Sequence, residues 1–168
     1  IDYGIIQDNI KEEDAFELPL IQDASYAILP LKTAFEVTGN CQCECNETCY
    51  LGELSGYNPT LEEIKLRIRA LSELGMPMIE VTGGEATLRR DLPEIFSEIE
   101  KQGMTHYLVT NGEFLADEDI FQPLLPYFRR GGVVVSVDGT GKAHDLFRGR
   151  QGLFEKVRIT LERLRDHN

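Results

Sequence analysis

Residues 78–112 read MIEVTGGEATLRRDLPEIFSEIEKQGMTHYLVTNG, and this stretch decides the fold. Met78–Thr82 is a short apolar strand, and Gly83-Gly84-Glu85 ends it. Asp91–Gln102 carries a helix that Gly103 stops. Thr105–Thr110 is the next strand, closed by Asn111-Gly112. Strand, helix and strand joined by short connections form a βα repeat, whose strands lie parallel through right-handed crossovers.

The same rhythm extends in both directions. Upstream, Lys32–Thr38 (KTAFEVT) alternates and reads as a strand. A cysteine-bearing loop then runs to Asn58-Pro59. Thr60 caps a helix, and Glu63 completes a capping box. Leu61, Ile64, Leu66, Ile68, Leu71 and Leu74 supply its apolar face, and Gly75 stops it. Downstream, Asp117–Phe128 is a helix that Pro123 and Pro126 can bend. Gly131-Gly132 lead into Val133–Val137, an apolar run expected to be buried on both faces. Gly152–Arg165 forms the last helix. After the longer first unit, strands recur roughly every 27 residues, which fits repeated βα units in a barrel or open sheet. The expected class is therefore α/β with a parallel sheet. Residues 1–30 are acidic and weakly patterned, and are expected as an N-terminal extension to a body spanning 31–168.

Composition narrows the function. The 168 residues carry 17 basic and 29 acidic side chains, for a net charge of −12. Such a surface repels phosphate backbones, so no nucleic-acid partner is expected. No apolar run approaches the ~18 residues of a membrane span, so no membrane partner is expected either. Asp2, Asp8, Lys11, Glu12, Glu13 and Asp14 break up any secretory signal. The chain opens on Ile1 rather than Met, as a piece of a longer protein would. All four cysteines fall between Cys41 and Cys49. Disulfides stabilise by closing large loops, and so tight a group closes none. It suits a metal or a cluster in a reducing, cytoplasmic compartment.

In parallel α/β folds, ligands gather at the carboxyl ends of the strands. The unusual residues lie there. The cysteines follow the first strand, Gly83-Gly84-Glu85 the second, Asn111-Gly112 the third, and Ser136-Val137-Asp138-Gly139 closes the fourth. Four special loops on one face imply one shared site. Thiolates are soft ligands for iron–sulfur clusters and for zinc. Two glycines allow a close backbone approach. Asn111 can both donate and accept. Ser136 and Asp138, two apart, share one face of their strand. Arg148 can pair with a carboxylate, either of a ligand or of Asp145. His106 and His167 are expected at the surface.

Taken together, the cysteine loop and the stretches GGEATLRRDLPEIF (83–96), LVTNGEFL (108–115) and SVDGTGKAHDLFRGRQGLFEKV (136–157) resemble the radical S-adenosylmethionine (radical SAM) superfamily. The likeness is to the branch that matures peptides, haems and the molybdenum cofactor, and it covers about residues 31–168. The resemblance implies a TIM-like barrel, of which four of the usual six βα units are visible here. It implies three cysteines holding a [4Fe–4S] cluster whose fourth iron chelates S-adenosylmethionine. It further implies an enzyme that reductively cleaves S-adenosylmethionine to a 5′-deoxyadenosyl radical, which abstracts hydrogen from a peptide, protein or small-molecule substrate. An electron donor such as flavodoxin or ferredoxin is implied as well. Carried over residue by residue, the cluster ligands are Cys41, Cys45 and Cys49. The cofactor-binding positions are Gly83, Gly84, Glu85, Asn111, Ser136, Asp138 and Arg148. The family's usual spacing is C-x3-C-x2-C; here it is C-x3-C-x3-C with Cys43 extra, and Thr48 stands where an aromatic residue usually precedes the last cysteine. Tyr50 is the candidate replacement near adenine. Cys43 is either a substitute ligand or a spare thiol. A non-catalytic zinc module and a simple iron–sulfur electron carrier are the alternative readings.

Overall fold

The computed structural model describes residues 31–45, 49 and 56–167. The expected N-terminal extension, residues 1–30, lies outside the described residues, as do Thr48 and Tyr50. Four strands form one parallel sheet in the order β1-β2-β3-β4, which is also their order in sequence. They are β1 (Thr33–Glu36), β2 (Met78–Thr82), β3 (Thr105–Thr110) and β4 (Val133–Val135). The helices are α1 (Leu61–Glu73), α2 (Leu92–Lys101), α3 (Glu118–Phe128), α4 (Lys142–Arg148) and α5 (Leu153–His167). Single 3₁₀ turns, Ala86–Leu88 and Phe114–Ala116, follow the ends of β2 and β3. Among the described residues, no helix is long and apolar enough to cross a membrane.

Local chemistry accounts for the boundaries. The Thr60 hydroxyl accepts from the Glu63 N–H, and the Glu63 carboxylate accepts from the Thr60 N–H, so the expected capping box starts α1. Asp117 caps α3 by accepting from the Asp119 N–H. Asp145, read from sequence as a partner for Arg148, instead accepts from the N–H groups of Gly152 and Phe154 at the start of α5.

The core lies between the sheet and α1–α3. Ile79, Val81 and Leu108 meet Ile64, Ile68, Ile95, Phe96, Ile99 and Phe121, all fully buried. This gathers the apolar faces of three successive βα units on one side of the sheet.

Two expectations are corrected. Val133–Val137 is a three-residue strand, and Val134 and Val137 are each about half exposed, because β4 is bonded only to β3 among the described residues. His106 is buried rather than superficial: it shares a face of β3 with Leu108 and packs on Phe96. Helix α4, flanked by Gly141 and Gly149, lies in a stretch to which the sequence reading assigned no element.

Candidate active site

The β1–α1 connection is held at its root. Gly39 N–H donates to the Tyr57 carbonyl at 2.6 Å, and the Thr38 hydroxyl bonds Asn58 Oδ1 at 3.2 Å. Arg89, from the loop after β2, donates through Nη1 to the carbonyls of Val37 (3.0 Å) and Pro59 (2.8 Å). One guanidinium therefore clasps both ends of the cysteine loop. Its other edge makes a two-point ion pair with Asp91, which fixes its plane.

Gly83 and Gly84 carry the start of the loop. Gly84 N–H donates to Thr38 O at 2.7 Å, and Glu85 N–H to Asn40 O at 2.8 Å. A Cβ on Gly83 would stand 2.4 Å from Thr38 O, and one on Gly84 would stand 2.1 Å from Asn40 O. Glycine at both positions is thus required by the approach of the cysteine loop itself. Sequence reasoning assigned them to the approach of a ligand; both also line the cavity described below.

Glu85 is buried at the junction of the loops. Its carboxylate accepts from Thr110 Oγ1 (2.7 Å), Asn111 N (2.7 Å), Thr87 N (3.1 Å) and the Thr87 hydroxyl. Burial pushes its pKa up, and these four donors oppose that shift. Its geometry is that of a brace between the loops after β2 and β3.

The thiols face the cavity these loops enclose. Cys41, Cys43, Cys45 and Cys49 line a space of about 160 Å³ together with Gly83, Gly84, Glu85, Asn111, Ser136 and Arg148. Cys41, Cys43 and Cys45 are half-buried and Cys49 is exposed. The side chains of Cys41 and Cys43 are in hydrogen-bond contact, which holds the Cys41 pKa down to about 7. That contact and burial push the Cys43 thiol up. Asn111 Nδ2 donates to Cys43 Sγ at 3.5 Å, and Arg148 Nη1 to Cys45 Sγ at 3.9 Å. Among the described residues, no three His, Cys, Asp or Glu side chains gather round one point closely enough to hold a single metal ion. The four thiols instead share the lining of one cavity. The donor set therefore fits an iron–sulfur cluster: soft sulfurs, with N–H donors aimed at two of them.

Of the positions expected to bind a cofactor, Asp138 alone does not line this cavity. It is exposed and accepts from Arg148 Nε at 2.6 Å, so it positions the guanidinium from outside. Ser136 N–H extends the sheet by donating to Thr110 O, which sets its side chain at the rim. Asn111 fills both roles open to it: its Oδ1 accepts from the Glu113 N–H in the turn, while its amide meets Cys43.

Sequence reasoning missed the group that aims Asn111. Gln42 Nε2 donates to both Asn111 Oδ1 (3.2 Å) and Glu113 Oε2 (2.7 Å), and Arg150 grips Glu113 through two nitrogens. The polar character of Gln42 within the cysteine loop was the available signal. A larger groove of about 590 Å³ lies between α2 and α3, lined by Leu88, Pro93, Phe114 and Ile120, and shares no residue with the thiol cavity.

A family model described as "Radical SAM superfamily" matches residues 41–168. The chain belongs to the radical SAM superfamily. Its cofactors are accordingly a [4Fe–4S] cluster and S-adenosylmethionine. The chain is 35% identical over 120 residues to the Fe-coproporphyrin III synthase of Methanosarcina barkeri, covering 69% of this chain and 27% of that protein. It is 32% identical over 143 residues to the antilisterial bacteriocin subtilosin biosynthesis protein AlbA of Bacillus subtilis, covering 83% and 31%. Among solved structures, Streptococcus suis SuiB bound to its precursor peptide SuiA superposes with a TM-score of 0.67 at 15% identity, over 83% of this chain and 31% of that one. This likeness shows the shared fold. The chain spans about a third of the length of the curated relatives it matches.

Proposed function

We propose that this chain is the cofactor-binding core of an enzyme that cleaves S-adenosylmethionine reductively and abstracts hydrogen from a peptide or a cofactor precursor. The observation that carries the reading is the convergence of all four thiols, the Gly83-Gly84-Glu85 loop, Asn111, Ser136 and Arg148 on one cavity at the carboxyl ends of the strands. The named activities of the relatives, in bacteriocin and haem biosynthesis, support the substrate class.

In this reading Cys41, Cys45 and Cys49 hold the cluster. When bound, cluster and S-adenosylmethionine together supply scission of the sulfonium carbon–sulfur bond and, from it, hydrogen-atom abstraction. The chain's residues bind and orient. Arg148 offers a guanidinium to a carboxylate, with Asp138 fixing its plane. Gly83 and Gly84 present backbone at the cavity floor, and Glu85 keeps that floor joined to β3. Asn111 and Arg148 also donate to sulfur, and such bonds tune cluster potentials. An electron donor of the flavodoxin or ferredoxin kind completes the system, in a reducing compartment such as the cytoplasm.

The test is anaerobic reconstitution with iron and sulfide, followed by dithionite and S-adenosylmethionine. The expected result is near-equal iron and sulfide with formation of 5′-deoxyadenosine. Zinc bound without sulfide would show the non-catalytic module instead, and a redox-active cluster that forms no 5′-deoxyadenosine would show a simple electron carrier.

A further inference from the structure

Four thiols line a site that needs three. Resting on the cluster reading above, we propose that Cys43 is a reversible fourth ligand, capping the iron left open by the other three cysteines until S-adenosylmethionine displaces it.

The first support is placement. Cys41, Cys43 and Cys45 all face the cavity, whereas Gln42 between them turns to Asn111 and Glu113. Cys43 thus stands among the cluster thiols, within side-chain contact of Cys41. The second is its surroundings. A spare structural thiol packs among apolar side chains and behaves as a small hydrophobe. Cys43 instead meets another thiol and the Asn111 amide, which donates to its sulfur at 3.5 Å. Asn111 is itself held by Gln42 and the Glu113–Arg150 pair, so this donor is built in rather than incidental. The third is tethering. A thiolate two residues from a cluster ligand competes for the vacant iron at an effective concentration of millimolar or above, whereas S-adenosylmethionine arrives from solution.

The exchange is a ligand substitution without electron transfer. The iron–sulfur bond to Cys43 breaks, with its electron pair staying on sulfur, and the freed thiolate takes the proton that the α-ammonium group of S-adenosylmethionine gives up. The amine and the carboxylate then bind that iron, one at the vacated position and one at an added position. Because Cys43 occupies the binding-competent iron, the apparent affinity for S-adenosylmethionine falls by the fraction of clusters left uncapped.

The experiment compares the reconstituted wild-type protein with Cys43→Ala, without reductant. Both are expected to assemble four irons. Ferricyanide in the absence of S-adenosylmethionine is expected to leave the wild-type cluster intact. It converts the Cys43→Ala cluster to a [3Fe–4S] form, seen by electron paramagnetic resonance, as one Fe²⁺ leaves and one electron passes to ferricyanide. Equilibrium dialysis is expected to show S-adenosylmethionine binding about tenfold tighter in Cys43→Ala. A measurement on the wild type alone covers the case of a misfolded variant: Cys43 resists iodoacetamide in the cluster-loaded protein and becomes alkylated when S-adenosylmethionine saturates the site. Equal iron loss in the two proteins, or alkylation of Cys43 that ignores S-adenosylmethionine, overturns the cap. So does a Cys43→Ala protein that folds but cannot assemble four irons, since Cys43 would then be an obligatory ligand. In all these cases 5′-deoxyadenosine formation by the wild type leaves the cluster reading standing. Failure of the wild type to build any iron–sulfur cluster removes that reading, and the cap with it.

Discussion

The two ends of the sheet treat their most buried carboxylates in opposite ways. At the amino end, Glu98 and its neighbour Glu100 each have a cationic partner. Glu98 accepts from Arg69, and Glu100 accepts from Arg130 through two nitrogens and pairs with His106, so both carboxyl pKa values are held down. At the carboxyl end, Glu85 is buried with neutral donors only, and its pKa is pushed up. Thiols there sit side by side, and Arg148 shares itself between Asp138 and a sulfur. A carboxylate matched with a guanidinium is a finished interaction, whereas thiols, an amide and a shared guanidinium retain capacity for a guest. The amino end secures the fold, and the carboxyl end spends some of that security on a site.

The largest effect that could break this contrast comes from paired glycine substitutions. Gly84→Ala and Gly131→Ala each force a Cβ into backbone, at 2.1 Å from Asn40 O and 2.3 Å from His106 O. Each is expected to cost about 3 kcal/mol by overpacking, read from urea unfolding. Only Gly84→Ala should also abolish iron retention per folded molecule, because it displaces the cysteine loop. Equal loss of iron in both would erase the distinction between the ends.

Next is Glu85→Ala, which strands the Thr110 hydroxyl and the Asn111 N–H in a buried place. About 2 kcal/mol of destabilisation is expected, together with weaker S-adenosylmethionine binding because Asn111 loses its anchor. An unchanged melting temperature would show that Glu85 is no brace. Arg89→Lys should be milder, about 1 kcal/mol. A lysine cannot serve Val37 O, Pro59 O and Asp91 together, so proteolysis within the 39–57 loop should quicken before global stability falls.

The smallest effect is a pH dependence. Burial depresses the folded pKa of His106, against the opposing pull of Glu100. The unfolded chain then binds more protons than the fold once pH drops below the ordinary histidine value of about 6.5. Stability should therefore decline from about pH 7 downward, and His106→Gln should flatten part of that decline in a thermal-melt series. Burial also lowers the pKa of His144 near the other end, so a remainder with the same sign should persist.

Most of the framework was legible because it is written in local signals. The bounds of β2 and β3 follow from where apolar runs meet glycine or asparagine, and α1 starts where Thr60 and Glu63 say it must. The shared face was legible too, since parallel strands bring successive loops together whatever their contents. What stayed hidden depends on contacts distant in sequence. The Arg89 clasp joins residues 30 and 52 positions away, and Gln42 reaches Glu113 across 71. His106 looked superficial because its residue type outweighed its place in the alternation of β3. The glycines of the 83–85 loop were singled out for the approach of a ligand, whereas the neighbour whose approach requires them is the chain's own backbone, and that is invisible until the first two strands are paired.

The Arg89 clasp also bears on how such a chain evolves. With both stems pinned to one guanidinium, the span between them is an exchangeable cartridge, and its length is uncoupled from strand register. A residue gained between Cys45 and Cys49, or a thiol gained at position 43, alters the cartridge while the sheet beneath stays as it was. The departure from the usual cysteine spacing is the kind of change this architecture absorbs at least cost, which makes that span the natural place to vary cluster ligation.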